Sequence, residues 1–279
     1  MILVTGHLGF IGGHLVTRLK ELGHEIVGCD LKEGSDICNI ESVEGFDLVF
    51  HLAANTNVPL SVQDPLFDFR TLQGSLRVID ACSRAGVPII YISSSFVYGE
   101  AKRPTKEEEP FKVSAPYGIV KHAVENYLEF YRKVYGLKSV IVRPATVYGP
   151  HQVGGAMADY IRKLKSGEQA VIYGSKTRDY LYVSDLIDAL ILLMDKEGTY
   201  NAGTGKETSL ESLYLDIAYL LNKRANPIFE RERPGEIKNQ CLNCDKLRKL
   251  GWKPKINIDF YFCFLHVLPS FLYSSHLPP

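Results

Sequence analysis

This sequence has no net charge, and it contains little tryptophan or methionine. Its 279 residues hold 32 Lys and Arg against 32 Asp and Glu, with one Trp and three Met. A chain without net charge lacks the field that attracts nucleic acid or anionic membranes, so we expect neither partner. It opens directly on an apolar strand rather than on a signal peptide, which predicts a cytoplasmic protein.

Cysteine is also sparse, with six residues in the chain. Most of them fall in strand-like or helix-like stretches, a usage that fits a reducing compartment. Cys241 and Cys244 form a CxxC pair, but neither a second pair nor a nearby His pair accompanies it. A tetrahedral zinc site needs four ligands, so we interpret the spacing as incidental and predict no metal.

The stretch MILVTGHLGFIGG at the start of the chain organises the rest. An apolar run at residues 2–4 predicts a buried strand, Gly6 turns the chain, and a helical pattern begins at Phe10. Gly9 allows the backbone to approach a ligand closely, and Gly12 allows the helix to pack tightly on the strand. Strand, glycine turn and helix in this order favour pyrophosphate binding at the helix N-terminus.

A second strand, predicted over residues 25–29, ends in Asp30. A carboxylate at that point accepts hydrogen bonds from the adenosine ribose and repels a 2′-phosphate, which predicts NAD rather than NADP. Only residues 31–35 separate Asp30 from Asp36, too few for a crossover helix. We therefore predict a minimal loop where the second βα unit of such folds usually stands.

Strands and helices then alternate, which predicts an α/β fold with a Rossmann-like, doubly wound parallel sheet. Strands are predicted at residues 47–50, 88–92 and 138–142, and helices at 10–22, 68–84 and 114–134. Beyond residue 150 the spacing becomes irregular, with helices at 156–165 and 184–194, a strand at 170–173, and a capping box of Thr208 and Glu211 before a helix to about residue 222. We predict an NAD-binding domain of residues 1–150 plus about 177–199, and a smaller C-terminal substrate-binding lobe of residues 151–176 and 200–279.

The candidate catalytic residues are Tyr117 and Lys121. They are four residues apart on a predicted helix and therefore lie on one face of it. A nearby ammonium favours the phenolate form of a tyrosine, which can then act as a general base. Three serines at residues 93–95 follow a predicted strand, at the edge of a parallel sheet where ligands bind.

Together these motifs resemble the extended short-chain dehydrogenase/reductase family, in its nucleotide-sugar branch. The resemblance covers residues 1–254 and rests on TGHLGFIG, Asp30, Asp36-Ile37, HLAA, SSSFVYG, YGIVK, RPATVYGP, RDYLYVSDL and LGWKP. It implies an NAD-dependent nucleotide-sugar epimerase of the UDP-glucose/UDP-galactose type, which oxidises C4 transiently and returns the hydride to the opposite face. A homodimer formed by the two long helices is also implied.

The resemblance further implies roles for individual residues. Ser94 and Tyr117 would contact the reacting hydroxyl, with Lys121 on the nicotinamide ribose. The implied cofactor contacts beyond the three glycines are Phe10, Ile11, Asp30, Asp36, Ile37, Leu52, Ala53, Ala54 and Pro144. The implied substrate contacts are Arg178 and Arg233 on the nucleotide diphosphate, together with Thr146.

The chain departs from that branch at several positions. Thr146 and Arg70 each replace an expected Asn, and residues 260–279 form an aromatic segment without Asp, Glu, Lys or Arg. Phe96 stands where dehydratases and decarboxylases of the branch carry an acidic residue, which argues against both activities. A nucleotide-4-keto-sugar reductase and a non-catalytic nucleotide sensor on the same fold remain as alternatives.

Overall fold

The structure, a computed structural model, describes residues 1–258; the aromatic segment at 260–279 and Cys263 lie outside them. The strands are β1 Ile2–Thr5, β2 Ile26–Cys29, β3 Leu48–His51, β4 Ile89–Ile92, β5 Ser139–Pro144, β6 Thr146–Tyr148, β7 Val171–Tyr173, β8 Thr177–Arg178, β9 Tyr180–Tyr182, β10 Gly198–Ala202, β11 Thr208–Ser209 and β12 Ile228–Glu230. The helices are α1 Phe10–Glu21, α2 Val58–Gln63, α3 Phe69–Ala85, α4 Pro116–Tyr135, α5 Ala156–Ser166, α6 Val183–Leu192, α7 Leu210–Leu220 and α8 Asp245–Arg248.

A six-stranded sheet in the order β10-β5-β4-β3-β1-β2 forms the centre of the molecule, and every pairing in it is parallel. Because side chains alternate across a strand, β1 sends Ile2 and Val4 into one core and Leu3 into the other. The first core also holds residues of α1 and α6, and the second holds residues of α3 and α4. The sheet is therefore covered on both faces, which confirms the predicted Rossmann-like α/β class.

The link between β2 and β3 contains only two short 3-10 turns, Leu31–Glu33 and Ile37–Asn39. This confirms that no crossover helix fits there. Helix ends also follow the sequence closely, since α3 stops at Gly86 and α4 at Gly136, each with a left-handed backbone at the cap.

A third apolar cluster lies outside the central sheet. It joins side chains of α5, α7, β7 and β9 with Tyr148, and the paired strands β12 and β7 run alongside. Within residues 1–258 no helix combines the length and the apolar character that crossing a membrane requires.

The predicted capping box at Thr208 and Glu211 is wrong. Ser209 caps α7 instead, and its hydroxyl accepts a hydrogen bond from the Ser212 backbone N–H at 2.9 Å. The reason is that Thr208 pairs with Arg178 in the antiparallel β11–β8 contact, so the backbone stays extended there and the helix starts later.

Candidate active site

The glycine loop between β1 and α1 forms a close-packed cradle. Gly6 has a φ of +72°, and a Cβ on Gly12 would lie only 2.1 Å from the Gly6 carbonyl oxygen. Gly9 is the N-cap of α1, and no side chain caps that helix end. The first N–H groups of α1, including those of Phe10 and Ile11, are therefore open to an anion, which fits a pyrophosphate.

His7 attaches this loop to the neighbouring strand. Its Cε1, Nε2 and Nδ1 atoms lie 2.3–2.5 Å from the point where a Cβ on Gly28 would stand. The ring therefore rests directly on β2, in space that only a glycine leaves open.

Asp30 follows β2 and is bonded to the same loop. Its Oδ2 accepts a hydrogen bond from the Leu8 backbone N–H at 3.1 Å, and its Oδ1 accepts one from Lys32 N–H at 2.9 Å. Lys32 Nζ in turn donates to the Leu8 carbonyl at 2.8 Å. The carboxylate is thus fixed beside the phosphate cradle, in a place that fits an adenosine ribose.

Asp36 is held from two sides. Its Oδ1 accepts from the Cys38 backbone N–H at 2.8 Å, and Arg70 Nε donates to its Oδ2 at 3.0 Å. The Cys38 N–H and then Arg70 lower the pKa of Asp36. Ile37 packs on α3 where Gly74 leaves room for it. Arg70, the departure noted in the sequence, therefore pairs with the acid expected near adenine.

The segment after β3 lies against the glycine loop. Thr5 Oγ1 accepts hydrogen bonds from Leu52 N–H and Ala53 N–H, each at 3.2 Å, and a Cβ on Gly6 would stand 2.8 Å from Ala53 N. Ala54 follows, half-buried. These small side chains border the cradle at the carboxyl edge of the sheet.

His51, at the end of β3, is fully buried and bridges two hydroxyls. Its Nδ1 lies 2.7 Å from Thr5 Oγ1 and its Nε2 lies 2.9 Å from Ser75 Oγ. Because Thr5 Oγ1 already accepts from two backbone N–H groups, its own hydrogen points to Nδ1, and Nε2 carries the ring proton. Burial, followed by the charge of Lys121, lowers the pKa of His51 to about 3, so the ring is neutral.

Ser94, Tyr117 and Lys121 come together at the carboxyl end of β4. Ser94 precedes the 3-10 turn Ser95–Tyr98, Tyr117 lies in the first turn of α4, and a hydrogen bond joins their side chains. Lys121 is 4% exposed and donates from Nζ to the Ile92 carbonyl at 2.7 Å. The three residues expected to act together are therefore adjacent.

The electrostatics of Tyr117 differ from the expectation. A lowered pKa was expected from the ammonium, whereas burial raises the pKa of Tyr117 above 10, and Asp68 adds to the rise. The hydrogen bond from Ser94 opposes both effects. Burial also lowers the pKa of Lys121 to about 8, against the charges of Glu125 and Asp68. Desolvation outweighs the attraction that sequence spacing alone suggests.

Beneath these side chains lies a buried ion pair. Arg143 Nη2 lies 2.6 Å from Glu125 Oε2, and both side chains are about 5% exposed or less. Arg143 also donates to Tyr98 Oη at 2.7 Å, and Tyr98 donates to Asn201 Oδ1 at 2.7 Å. The pair fixes the end of β5, where Pro144 lies opposite Ala202 of β10.

Thr146 takes part in a bridge between three segments. Its hydroxyl donates to Gln240 Oε1 at 3.1 Å, and Gln240 donates through Nε2 to Ser95 Oγ. The hydroxyl that replaces the expected Asn amide is thus bonded to Gln240, which the sequence analysis did not single out.

The two predicted arginines lie in the part of the chain beyond residue 150. Arg178 is 8% exposed, and its guanidinium donates to the carbonyls of Thr177 and Ile237, each at 2.7 Å. Arg233 is exposed and stacks on the Tyr173 ring at 3.5 Å. The structure adds Lys176, whose buried ammonium pairs with Glu236. Lys176 stands two residues before Arg178, just outside the RDYLYVSDL motif, and that proximity is the signal that the sequence offers.

Sequence reasoning also missed Asp68, the residue before α3, whose charge acts on both Tyr117 and Lys121. No group of three or more His, Cys, Asp or Glu suited to a metal ion occurs among residues 1–258. Along one edge of the sheet lie the glycine loop, which can bind an anion, the Asp30 carboxylate, which can accept hydrogen bonds from a ribose, and the Ser94–Tyr117–Lys121 cluster. That combination can hold a dinucleotide and move a proton from a hydroxyl.

Known proteins share this sequence and architecture. Residues 2–203 match the NAD dependent epimerase/dehydratase family. The chain is 35% identical to the UDP-glucose 4-epimerase of Mycolicibacterium smegmatis, over 91% of this chain and 93% of that protein. Its fold superposes on the UDP-glucose 4-epimerase of Thermotoga maritima, solved with UDP-glucose, with a TM-score of 0.85, 33% identity and coverage of 94% and 96%. The Thermus thermophilus UDP-glucose 4-epimerase, solved with NAD, gives a TM-score of 0.85, 30% identity and the same coverage. This chain belongs to the NAD dependent epimerase/dehydratase family.

Proposed function

We propose that this protein is an NAD-dependent nucleotide-sugar epimerase that interconverts UDP-glucose and UDP-galactose at C4. The observation that carries the proposal is the Ser94–Tyr117–Lys121 cluster, which lies at the same sheet edge as the glycine cradle. Relatives named UDP-glucose 4-epimerase align over nearly the whole chain, and one of them is solved with UDP-glucose. A sensor would not need the three catalytic side chains to be kept together.

NAD, when bound, supplies the reversible hydride acceptor for the sugar carbon. Tyr117 removes the proton of the C4 hydroxyl and later returns it, while Ser94 donates a hydrogen bond to the same oxygen. Before a substrate binds, the Ser94 hydroxyl favours the Tyr117 phenolate against the effect of burial. Lys121 holds the nicotinamide ribose and adds positive charge beside the phenolate.

The cofactor would lie along the sheet edge from the cradle to Pro144. In this arrangement Gly6, Gly9 and Gly12, with the N–H groups of Phe10 and Ile11, hold the pyrophosphate. Asp30 holds the adenosine ribose, and Asp36 with Ile37 meets the adenine. The segment of Leu52, Ala53 and Ala54 borders the chain of the dinucleotide.

The substrate would be held by the smaller lobe of residues 151–176 and 200 onward. Arg178 and Arg233 would bind the diphosphate, because a guanidinium pairs with phosphate oxygens through two parallel hydrogen bonds. The Thr146–Gln240 bridge would face the same part of the ligand. The separate apolar cluster of α5 and α7 supports a lobe with its own core.

A homodimer through α3 and α4 is part of the proposal. Tyr127, Phe130 and Val134 are exposed at helical spacing on one face of α4, and a second copy would cover them. A cytoplasmic location fits the five described cysteines, all of which are free thiols.

The test is an epimerase assay without added cofactor. The purified protein is incubated with UDP-galactose, and UDP-glucose is measured by chromatography. Conversion without added NAD would show C4 epimerisation with a tightly held cofactor, and Tyr117→Phe should lower the rate about 10²- to 10⁴-fold.

Failure even with added NAD would refute this sugar pair. UDP-N-acetylhexosamines, UDP-glucuronate, and 4-keto sugars with reduced cofactor would then be compared. Turnover of a 4-keto sugar would favour the reductase alternative.

A further inference from the structure

The helix that carries Tyr117, α4, begins without a capping side chain of its own. Its N-cap is Ala115, whose methyl group cannot accept a hydrogen bond, and Pro116 follows as a first helical residue that has no N–H. The Ile119 N–H donates to the Ala115 carbonyl at 3.0 Å, as the regular helical pattern requires. The N–H of Tyr117 lies before that bond, so it needs an acceptor from outside the helix.

Ser61 on α2 supplies that acceptor. Its hydroxyl oxygen accepts a hydrogen bond from the Tyr117 backbone N–H at 3.3 Å, and Ser61 is fully buried. The hydroxyl hydrogen has its own partner, because Ser61 Oγ donates to the Val58 carbonyl at 2.8 Å. With its hydrogen directed to Val58, the oxygen presents its lone pairs to Tyr117. Ser61 therefore caps α4 from a helix that lies 56 residues earlier in the chain.

The short helix α2 is itself fixed at both ends. Asn57 caps its start, with a side-chain oxygen that accepts a backbone N–H at 3.0 Å. Near its other end Val62 packs against Gly235, where an added Cβ would stand 2.8 Å from Val62 Cγ2. Ser114, just before α4, donates to the Gly235 carbonyl at 3.1 Å. These contacts hold the oxygen of Ser61 in place before any ligand binds.

The other side of this first turn of α4 rests on the segment that carries Ser94. A Cβ on Gly118 would stand 3.1 Å from the Phe96 carbonyl oxygen, and the Phe96 and Tyr117 rings meet edge-on with centroids 5.8 Å apart. The Phe96 N–H in turn donates to Ser94 Oγ at 3.2 Å. The bond to Ser61 on one side and the turn after Ser94 on the other therefore fix how Tyr117 faces Ser94.

We propose that Ser61 is a positioning residue for Tyr117: by capping α4 from α2, it holds the first turn of that helix, and with it the phenol, in line with Ser94. Ser61 acts through the Tyr117 backbone and not on the substrate itself. The catalytic consequence rests on the proposed function. A misplacement of about 1 Å in a catalytic group can cost roughly a hundredfold in rate, so a loosened first turn should slow turnover.

The direct test follows the Tyr117 amide by NMR without any turnover. Protein with tyrosine labelled at the amide nitrogen is transferred to heavy water, and hydrogen exchange is timed in wild type and in Ser61→Ala. The Tyr117 signal is assigned through Tyr117→Phe. A helix cap contributes a factor of about five to local stability, so exchange should be about fivefold faster in Ser61→Ala. An equal exchange rate of the Tyr117 amide in the two proteins would overturn the proposal.

The matched control is Ser209→Ala, which removes the cap of α7, a hydroxyl that accepts the Ser212 N–H at 2.9 Å. It should lower the melting temperature by a similar amount and leave the exchange of the Tyr117 amide unchanged. Equal acceleration of that exchange in both variants would assign the effect to overall stability and refute the proposal. If Ser61→Ala does not fold, Ser61→Cys is measured by the same criteria, because a thiol accepts hydrogen bonds only weakly.

The second readout is rescue by a cap placed within α4 itself. Ala115 has a φ of −139° and a ψ of 151°, the extended backbone that N-cap residues adopt. Ala115→Ser therefore brings a hydroxyl within reach of the first N–H groups of α4. Added to Ser61→Ala, it should return the exchange rate of the Tyr117 amide toward wild type.

The epimerase reaction tests the catalytic consequence. Ser61→Ala should lower kcat about tenfold and change KM less than about twofold, and the double variant with Ala115→Ser should recover most of kcat. An unchanged kcat in Ser61→Ala, a KM that rises as much as kcat falls, or a double variant without recovery would each count against the proposal. A protein without epimerase activity fails this readout alone, whereas the amide exchange still tests Ser61.

Discussion

The buried pair of Arg143 and Glu125 allows a quantitative prediction about stability. Arg143→Met removes a guanidinium that bonds both oxygens of Glu125, the Tyr98 hydroxyl and the Glu107 carbonyl. Glu125 keeps Ser93 as a donor but loses its counter-charge in a site where both side chains are about 5% exposed or less. Removing one partner of such a pair costs about 3–5 kcal/mol.

Urea unfolding followed by far-UV circular dichroism measures this loss. The free energy of unfolding should fall by about 3–5 kcal/mol, and the melting temperature by roughly 10 °C. Arg162→Met is the matched control, because Arg162 pairs with Asp159 on the surface, with 60% and 38% of the two side chains exposed. That variant should lose at most about 1 kcal/mol.

The double variant Arg143→Met with Glu125→Leu tests the reasoning further. It leaves no unpaired charge, so it should recover part of the loss seen in Arg143→Met. The buried-charge argument is wrong if Arg143→Met lowers the free energy of unfolding less than Arg162→Met does. It is also wrong if the double variant loses the full sum of the two single losses in free energy of unfolding.

Three further predictions concern the cofactor edge and the substrate lobe. Gly12→Ala should lower both the melting temperature and NAD affinity, because its Cβ would stand 2.1 Å from the Gly6 carbonyl; Gly13→Ala, whose nearest contact would be 3.9 Å, should change neither. Burial lowers the pKa of His51 to about 3 in the folded chain, against about 6.5 in the unfolded chain. Below pH 6.5 the unfolded chain therefore binds a proton that the folded chain does not, and the free energy of unfolding should fall by about 1.4 kcal/mol from pH 7.5 to pH 5.5. His51→Asn should lack this part of the pH dependence in urea titrations, and an identical slope would contradict it. Arg178→Lys should raise KM for the nucleotide sugar at least about tenfold with a smaller change in kcat, because an ammonium cannot bond phosphate in two places; an unchanged KM would remove Arg178 from the diphosphate site.

The sequence predicted the central fold because its signals are local. Apolar runs with Val and Ile define β1, β3, β4 and β5, and α3 and α4 end within one residue of the predicted positions. The adjacency of Tyr117 and Lys121 followed from helix geometry alone. These features depend on periodicity and backbone conformation, which a sequence shows directly.

What the sequence did not show depends on contacts between distant segments. Gln240 meets Ser95 and Thr146 across the fold, and no spacing in the chain reveals that bridge. The raised pKa of Tyr117 arises from burial, which only the packed structure determines. The helix start at Leu210 was misplaced because Thr208 pairs with β8, a contact that outweighs a local capping preference.

The contact between His7 and Gly28 constrains how this family member can evolve. A Cβ at position 28 would stand 2.3–2.5 Å from three imidazole atoms, so the His7 ring would have to move off β2. A larger residue at 28 is therefore accommodated best where position 7 is small. Among homologues, His at 7 should therefore occur with Gly at 28, and bulk at 28 with Gly or Ala at 7. Substitutions in the edge strand β2 and in the glycine loop should therefore be coupled.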